Sequence, residues 1–171
     1  MTHPEPAQQT PSPKPPRPPR PPNIDEVAVA AVQRALGAEH AAVWCYSLAV
    51  AFLGPEQRAA ARTDADAHRE LRSQIARTLS DIGSQPVSAQ PAYATPEPVT
   101  SAATAAKLLV VAETDALAAW RSVMERTADR TLRKAALDAL TSTAVRCARW
   151  RGVVGADPAV PQLPGAPETA R

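Results

Sequence analysis

Aromatic residues, net charge and long apolar runs are all scarce in this sequence. Aromatic side chains make up 4% of the 171 residues, and no segment alternates between apolar and polar residues with a period of two. That alternation marks a half-buried strand, so the sequence predicts no β-sheet.

The formal net charge is +2, and three basic residues, Lys14, Arg17 and Arg20, lie near the N-terminus. A DNA-binding domain would carry a clustered basic face, so nucleic acid is not an expected partner.

The apolar stretch from Ala41 to Leu53 is thirteen residues long. A transmembrane helix needs about 20 apolar residues, whereas a run of about 10–14 is typical of a buried helix. The first 22 residues contain ten prolines and no hydrophobic region, so no secretory signal is expected there.

The two cysteines, Cys45 and Cys147, have no metal-type spacing. They are expected to be reduced core residues of a cytoplasmic protein that does not associate with membranes.

Proline divides the chain into segments, because it is concentrated in residues 1–22, 86–98 and 158–167. The intervening segments are rich in Ala, Leu, Arg and Glu, which favour helices. Asn23 and Thr100 are suitable N-caps, and Pro55 is suited to the first helical position. The predicted helices span residues 24–54, 55–83, 101–127 and 129–155. We therefore expect a disordered Pro-rich arm over residues 1–22, a helical bundle over 23–155 and a disordered Pro-rich tail over 156–171.

The lengths of the connections predict how the four helices are arranged. The first two helices share a tight Gly-Pro turn and the last two are joined by two or three residues, so each pair should form an antiparallel hairpin. The link between the hairpins, residues 84–100, has seventeen residues and reaches about 55 Å when extended. That is enough to travel the whole bundle and make helix 3 parallel to helix 2. One long crossover between helices 2 and 3 is the ferritin-like arrangement of an all-α four-helix bundle.

Polar residues interrupt three of the predicted apolar stripes. Glu39, His68 and Glu113 each occupy a position that the helical period assigns to the core. Each lies near the middle of its helix, so the three should converge in one layer of the bundle. An unpaired buried carboxylate is costly, so we expect a compensating partner.

Other polar and aromatic residues are given less central positions by the same period. His40 lies about 100° around the helix from Glu39 and is expected to be peripheral. Asp64 is expected near the edge of the core, solvated or paired with an arginine, and Asp138 is expected to be an exposed ion-pair partner. Trp120 and Trp150 are expected to be core residues.

Four stretches of the chain resemble an uncharacterised actinobacterial family of ferritin-like proteins. They are ALGAEHAAVWCYSL, DAHRELR, AYATPEPVTSAATAAKLLVVAE and TSTAVRCARWR, and the resemblance covers about residues 25–155. The resemblance implies a fold without an established reaction. The Pro-rich ends of the chain have no counterpart in it.

Di-iron members of the ferritin-like fold take one Glu from each of two helices and a Glu-x-x-His from each of the other two. By that resemblance, Glu39 and Glu113 fit the two single glutamates, and His68 fits one histidine. The residue three positions before His68 is Ala65, where a glutamate belongs. In helix 4, Thr143 and Arg146 stand where Glu and His belong. Three of six ligands remain.

Two hypotheses follow from this partial ligand set. In the first, Arg146 replaces the metal charge, and Glu39, His68, Glu113 and Tyr46 form with it a buried polar network that sets the helix register. The chain would then be a non-catalytic scaffold or interaction module without cofactor, forming a homodimer or binding another protein. In the second, Glu39, His68 and Glu113, with Asp64 as a further ligand, hold one iron, manganese or zinc ion. Neither hypothesis includes a visible nucleophile and base.

The arm contains PKPPRPPRPP, whose PxxP spacing favours polyproline II. Such a segment can dock on an aromatic groove of a partner or serve as a semi-rigid, solvated arm. Deleting residues 1–22 should leave the melting temperature unchanged, because they offer no apolar group to a core. Calorimetry of the full-length and shortened chains tests this, and a loss of several degrees would show that the arm stabilises the bundle.

Overall fold

A computed structural model describes residues 24–160 and 163–166. This part of the chain contains four helices and no strand: α1 (Glu26–Ala49), α2 (Pro55–Asp81), α3 (Ala102–Arg126) and α4 (Arg130–Val153). The all-α prediction is therefore confirmed. None of these helices has a segment long and apolar enough to cross a membrane. The predicted arm, residues 1–22, lies outside the described residues.

The helices begin close to the predicted positions, with two different caps. Asp25 caps α1, and its Oδ1 accepts a hydrogen bond from the Ala28 amide at 2.8 Å. Asn23, the predicted cap, lies outside the described residues. Ser101 rather than Thr100 caps α3, because the Ser101 hydroxyl and Thr104 exchange hydrogen bonds with each other's backbone in a capping box. Pro55 and Asp129 begin α2 and α4 as predicted.

Helix α1 ends at Ala49, earlier than the predicted end at Gly54. Arg58 explains how the chain can leave the helix early. Its guanidinium donates to the Val50 carbonyl at 3.1 Å and to the Leu53 carbonyl at 2.7 Å. These bonds satisfy carbonyls that a longer helix would have paired internally.

Two apolar clusters fix the direction of each helix. The first joins the starts of α1 and α4 to the ends of α2 and α3: Ala31, Val32, Ala35, Leu36, Ile75, Leu79, Ala116, Trp120, Val123, Leu132, Ala136 and Ala139. The second joins the ends of α1 and α4 to the starts of α2 and α3: Tyr46, Ala49, Leu53, Ala61, Ala65, Ala105, Ala106, Leu109 and Trp150. Helices α2 and α3 are therefore parallel, and the predicted ferritin-like arrangement of two antiparallel hairpins joined by a crossover is confirmed.

The crossover is held at its start by one side chain of α1. Gln33 donates from Nε2 to the Ser84 hydroxyl at 3.0 Å and to the Gln85 carbonyl at 2.7 Å. Its Oε1 accepts a hydrogen bond from the Val87 amide at 2.9 Å. One glutamine therefore satisfies three polar groups of a segment that has no secondary structure of its own.

The crossover continues along the same outer face of α1. The His40 Nε2 lies 3.1 Å from the Val87 carbonyl, and the Trp44 ring packs on Tyr93 with the ring centroids 5.9 Å apart. His40 and Trp44 follow Gln33 by seven and eleven residues, so the three share one face. His40 is half-buried under this segment, on the periphery of the bundle as predicted.

The predicted disordered tail differs in part from the structure. Residues 156–160 and 163–166 are described, and Gly165 lies against the backbone of α3 at Leu117. Composition indicated a solvated Pro-rich segment, but a contact between distant segments decides the placement of Gly165.

Replacing Gln33 with alanine should loosen the start of the crossover. We expect faster hydrogen exchange at the Val87 amide and a loss of about 1 kcal/mol in the free energy of unfolding, because the lost bonds are partly exposed. Gln74→Ala is the matched control, since the Gln74 side chain is exposed and donates to Glu70 on its own helix. Urea unfolding and hydrogen exchange of both variants test this, and equal effects would contradict the assigned role of Gln33.

Candidate functional site

Glu39, His68 and Glu113 meet at the middle of the bundle. The His68 Nδ1 lies 2.6 Å from Glu39 Oε2, and its Nε2 lies 3.0 Å from Glu113 Oε1. All three side chains are completely buried. The structure thus brings together, from α1, α2 and α3, the three polar residues that interrupt the apolar stripes.

The geometry of His68 determines its charge. A neutral imidazole has only one N–H, whereas both ring nitrogens of His68 face carboxylate oxygens at hydrogen-bond distance. With both carboxylates ionised, both contacts are satisfied only when the ring carries two protons. Burial alone would lower the pKa of His68, but hydrogen bonds to Glu113 and Glu39, together with their charges, outweigh it and raise the pKa to about 9. His68 is therefore a buried cation at neutral pH.

Arg146 supplies a second buried cation from α4. Its Nε lies 3.1 Å from Glu113 Oε1 and 3.3 Å from Glu113 Oε2, and its Nη2 donates to the Thr143 hydroxyl at 2.9 Å. Arg146 is 6% exposed and Thr143 is fully buried. A guanidinium keeps its charge when buried and has fixed donors that suit a carboxylate. Arg146 and Thr143 therefore join the layer from the fourth helix.

Tyr46 connects this layer to a second acidic group. Its hydroxyl donates to Glu113 Oε1 at 2.5 Å and lies 3.5 Å from Asp64 Oδ2, which is a much weaker contact. Burial, and then the charges of Glu113 and Asp64, raise the pKa of the Tyr46 phenol far above its ordinary value. The phenol remains a hydrogen-bond donor throughout the physiological pH range.

Asp64 is more deeply buried than the sequence predicted. It is 4% exposed, although it is paired with an arginine as expected. The Arg149 Nη2 lies 2.6 Å from both carboxylate oxygens, and the Trp150 indole N–H donates to Oδ2 at 2.9 Å. Arg149 lies in α4 with its side chain 46% exposed, so this ion pair connects the buried layer to the surface.

The two tryptophans were predicted as core residues, which is only part of their role. Trp120 and Trp150 are 4% and 1% exposed and belong to the two apolar clusters. Each also donates its indole N–H to a buried carboxylate, Trp120 to Glu39 Oε1 at 2.7 Å and Trp150 to Asp64. Trp120 follows Glu113 by seven residues and so lies on the same face of α3, but this spacing does not indicate its bond to Glu39 on another helix.

The charges of the layer balance. Three carboxylates, Glu39, Glu113 and Asp64, face three cations, His68, Arg146 and Arg149. Every oxygen of the three carboxylates is in contact with an N–H or O–H donor. Glu39 accepts from Trp120 and His68, and Glu113 accepts from His68, Tyr46 and Arg146. Asp64 accepts from Arg149 and Trp150. The oxygens of all three carboxylates are therefore occupied by donors from the folded chain.

The residues of this layer, as arranged, do not fit a metal ion. A histidine ligand needs an unprotonated nitrogen, but both nitrogens of His68 are used as donors. Ala65 and Thr143 supply no carboxylate at the two positions where the resembled centres have further glutamates. Within residues 24–160 and 163–166, no group of three or more His, Cys, Asp or Glu side chains is arranged to hold a metal. The Arg146 guanidinium also lies directly against Glu113.

The remaining predicted residues lie outside this layer. Asp138 forms an exposed ion pair with Lys134, with the Lys134 Nζ 2.6 Å from Asp138 Oδ2, as expected. Cys45 and Cys147 are both buried, as predicted for core residues. Burial and the nearby charge of Asp115 raise the pKa of Cys45 to about 11, so this thiol is not an activated nucleophile.

Comparison with known proteins agrees with this architecture. The family model described as "Domain of unknown function (DUF4439)" matches residues 31–168. The chain is similar to the crystal structure of a conserved hypothetical protein, rv2844, from Mycobacterium tuberculosis. The sequence identity is 34% and the TM-score 0.73, over 85% of this chain and 96% of that chain. No match is found among the curated proteins.

A second solved structure relates the fold to a larger group. The chain is similar to the crystal structure of ferritin-like, diiron-carboxylate proteins from Bacillus anthracis str. Ames. The TM-score is 0.67 over 74% of this chain and 94% of that chain. At 10% identity, this likeness shows the fold alone. The chain therefore belongs to the DUF4439 family, an uncharacterised family with a ferritin-like fold.

Proposed function

We propose that this protein is a metal-independent ferritin-like domain that acts as a scaffold or interaction module. In this proposal, the network of Glu39, His68, Glu113 and Arg146 takes the place of a di-metal centre. The cations that balance the two buried glutamates are then an imidazolium and a guanidinium. They are part of the folded chain and need no external supply.

One observation carries the proposal: both nitrogens of His68 and the guanidinium of Arg146 are directed at the two glutamates. A metal ion at this place would have to displace the His68 protons and move Arg146 away from Glu113. The alternative, a reduced site holding one iron, manganese or zinc ion, has in its favour that Glu39, His68 and Glu113 converge. In this alternative, His68 must lose a proton and Arg146 must move away from Glu113 before these residues can coordinate a metal.

The network is better suited to fixing the helix register than to adding stability. Burying an ion pair costs desolvation that its attraction only roughly repays, whereas removing one partner strands a charge at a cost of about 3–5 kcal/mol. A helix that shifts along its axis would break several of these contacts together.

A rigid bundle of this kind suits a domain that presents a surface to a second copy or to another protein in the cytoplasm. Light scattering of the purified chain tests self-association.

The first test of this proposal uses the metal content and Arg146. Protein purified without chelators should contain substoichiometric iron, manganese and zinc by elemental analysis, and adding a chelator should not change its melting temperature. Arg146→Leu should lower the free energy of unfolding by about 3–5 kcal/mol, because Glu113 loses a buried partner. Adding Glu39→Gln and Glu113→Gln to Arg146→Leu should recover part of the loss. Arg149→Leu is the matched control and should cost less, because Arg149 is nearly half exposed.

The metal-site alternative predicts a different series. It expects about one metal ion per chain, lost in Glu39→Ala and His68→Ala, with a comparatively mild effect of Arg146→Leu. Metal that depends jointly on Glu39, His68 and Glu113 would overturn the proposed function.

The charge of His68 makes stability depend on pH in a defined window. Because its pKa is raised in the folded state, its contribution is complete below about pH 6.5, the ordinary value for histidine, and is lost as the pH rises through about 9. The free energy of unfolding should fall by about 3 kcal/mol across this window. Ionisation of Cys45 also lowers the free energy of unfolding as the pH rises, but only above about pH 9, because burial raises the pKa of its thiol to about 11. Urea unfolding at a series of pH values measures the fall, and His68→Gln should remove it; a flat profile in the wild type would show that His68 is not a buried cation.

A further inference from the structure

The described part of the C-terminal segment touches α3 where only glycine fits. An ideal Cβ on Gly165 would lie 2.5 Å from the Leu117 carbonyl oxygen, 2.9 Å from its carbonyl carbon and 3.1 Å from the Arg121 Cβ. Gly165 also has a φ of +75°, which disfavours other residues. The backbone of this segment therefore packs directly on the backbone of α3.

Two further contacts shape the segment on its way from α4. The Arg151 guanidinium donates to the Pro158 carbonyl from Nε at 3.3 Å and from Nη2 at 3.1 Å. The Ala166 amide donates to the Leu163 carbonyl at 3.0 Å, which closes a turn around Gly165. Leu117 is fifteen residues beyond the start of α3, or about 22 Å along the helix axis. The chain therefore returns along the bundle after α4 ends.

The contact lies on the side of α3 that faces α4. Thr114 marks this side, because its hydroxyl lies 3.8 Å from the Cys147 sulfur on α4. Leu117 and Arg121 follow Thr114 by three and seven residues, so all three share one helix face. At one end the α3–α4 hairpin is closed by its short turn, residues 127–129. At the other end α3 begins and α4 finishes, and the C-terminal segment leaves α4 there and reaches α3 at Leu117, beyond the midpoint of that helix.

We propose that residues 156–160 and 163–166 form a strap that runs from the end of α4 along the bundle and fastens to α3 beyond its midpoint, with Gly165 as the residue that seats it. Leu117 lies one helical turn after Glu113, whose partner Arg146 is on α4. The strap therefore holds the two helices together beside this ion pair. The family model extends through residue 168 and so includes the strap. This proposal does not depend on whether the mid-bundle layer binds metal.

The first test observes the strap in the wild-type chain. The Gly165 α-protons should show nuclear Overhauser effects to the β-protons of Arg121, because the two residues are in van der Waals contact. Absence of these effects, together with random-coil chemical shifts for residues 163–166, would overturn the proposal. This measurement needs no variant and is independent of any effect on folding.

The second test separates the contact from backbone strain. Gly155 has a φ of +70° and no atom within 4 Å of its ideal Cβ, so Gly155→Ala introduces similar strain without the clash. Gly165→Ala should lower the melting temperature by about 3 °C or more beyond Gly155→Ala, since it adds overpacking to the strain. It should also abolish the contact with Arg121 and accelerate hydrogen exchange around residue 121, leaving α1 unchanged. Equal melting temperatures for the two variants, with the Arg121 contact intact, would show that no strap is seated by Gly165.

Discussion

Two glutamates at the centre of a helical bundle are the constraint to which the rest of this structure responds. A buried carboxylate needs partners, and two of the three carboxylates of the layer have a cation within their own hairpin. The α1–α2 hairpin carries the Glu39–His68 pair, and the α3–α4 hairpin carries the Glu113–Arg146 pair. The contact of His68 with Glu113 then joins the hairpins without adding charge. Asp64 on α2 pairs instead with Arg149 on α4, so the complete set of ion pairs requires both hairpins.

Much of this layer could be predicted from the sequence, because the helical period is a strong signal. A polar residue on an apolar stripe stands out, which identified Glu39, His68 and Glu113, and equal heights along the helices predicted that they meet. The helical period of the sequence does not identify which residues on other helices form hydrogen bonds or ion pairs with these side chains. Arg149 looks like a surface residue, since its side chain does reach solvent, and only the packing of α2 beside α4 reveals its bond to Asp64. Tryptophan is both a large apolar residue and a donor, so its place on a stripe does not reveal its hydrogen bond.

The boundaries of the helices could also be predicted only where neighbouring residues determine them. The start of α2 at Pro55 was predicted correctly, because proline at the first helical position acts through neighbouring residues only, and α4 begins next to the predicted Asp129. The choice between Thr100 and Ser101 depends on which backbone forms the reciprocal bonds with Thr104. The early end of α1 depends on Arg58, which lies in the next helix. The contact of Gly165 with Leu117 joins residues 48 positions apart, and composition carries no information about such a contact.

Two aromatic donors of the central glutamates occupy matching positions in α1 and α3. Tyr46 follows Glu39 by seven residues and Trp120 follows Glu113 by seven, and each aromatic residue donates to the glutamate of the other helix. Each hairpin thus contributes a glutamate and an aromatic donor at the same spacing, which is a local symmetry between α1 and α3. The symmetry fails at the cations, where one half has histidine and the other arginine. Because arginine keeps its proton at any physiological pH, only the first of the two related halves can lose its charge.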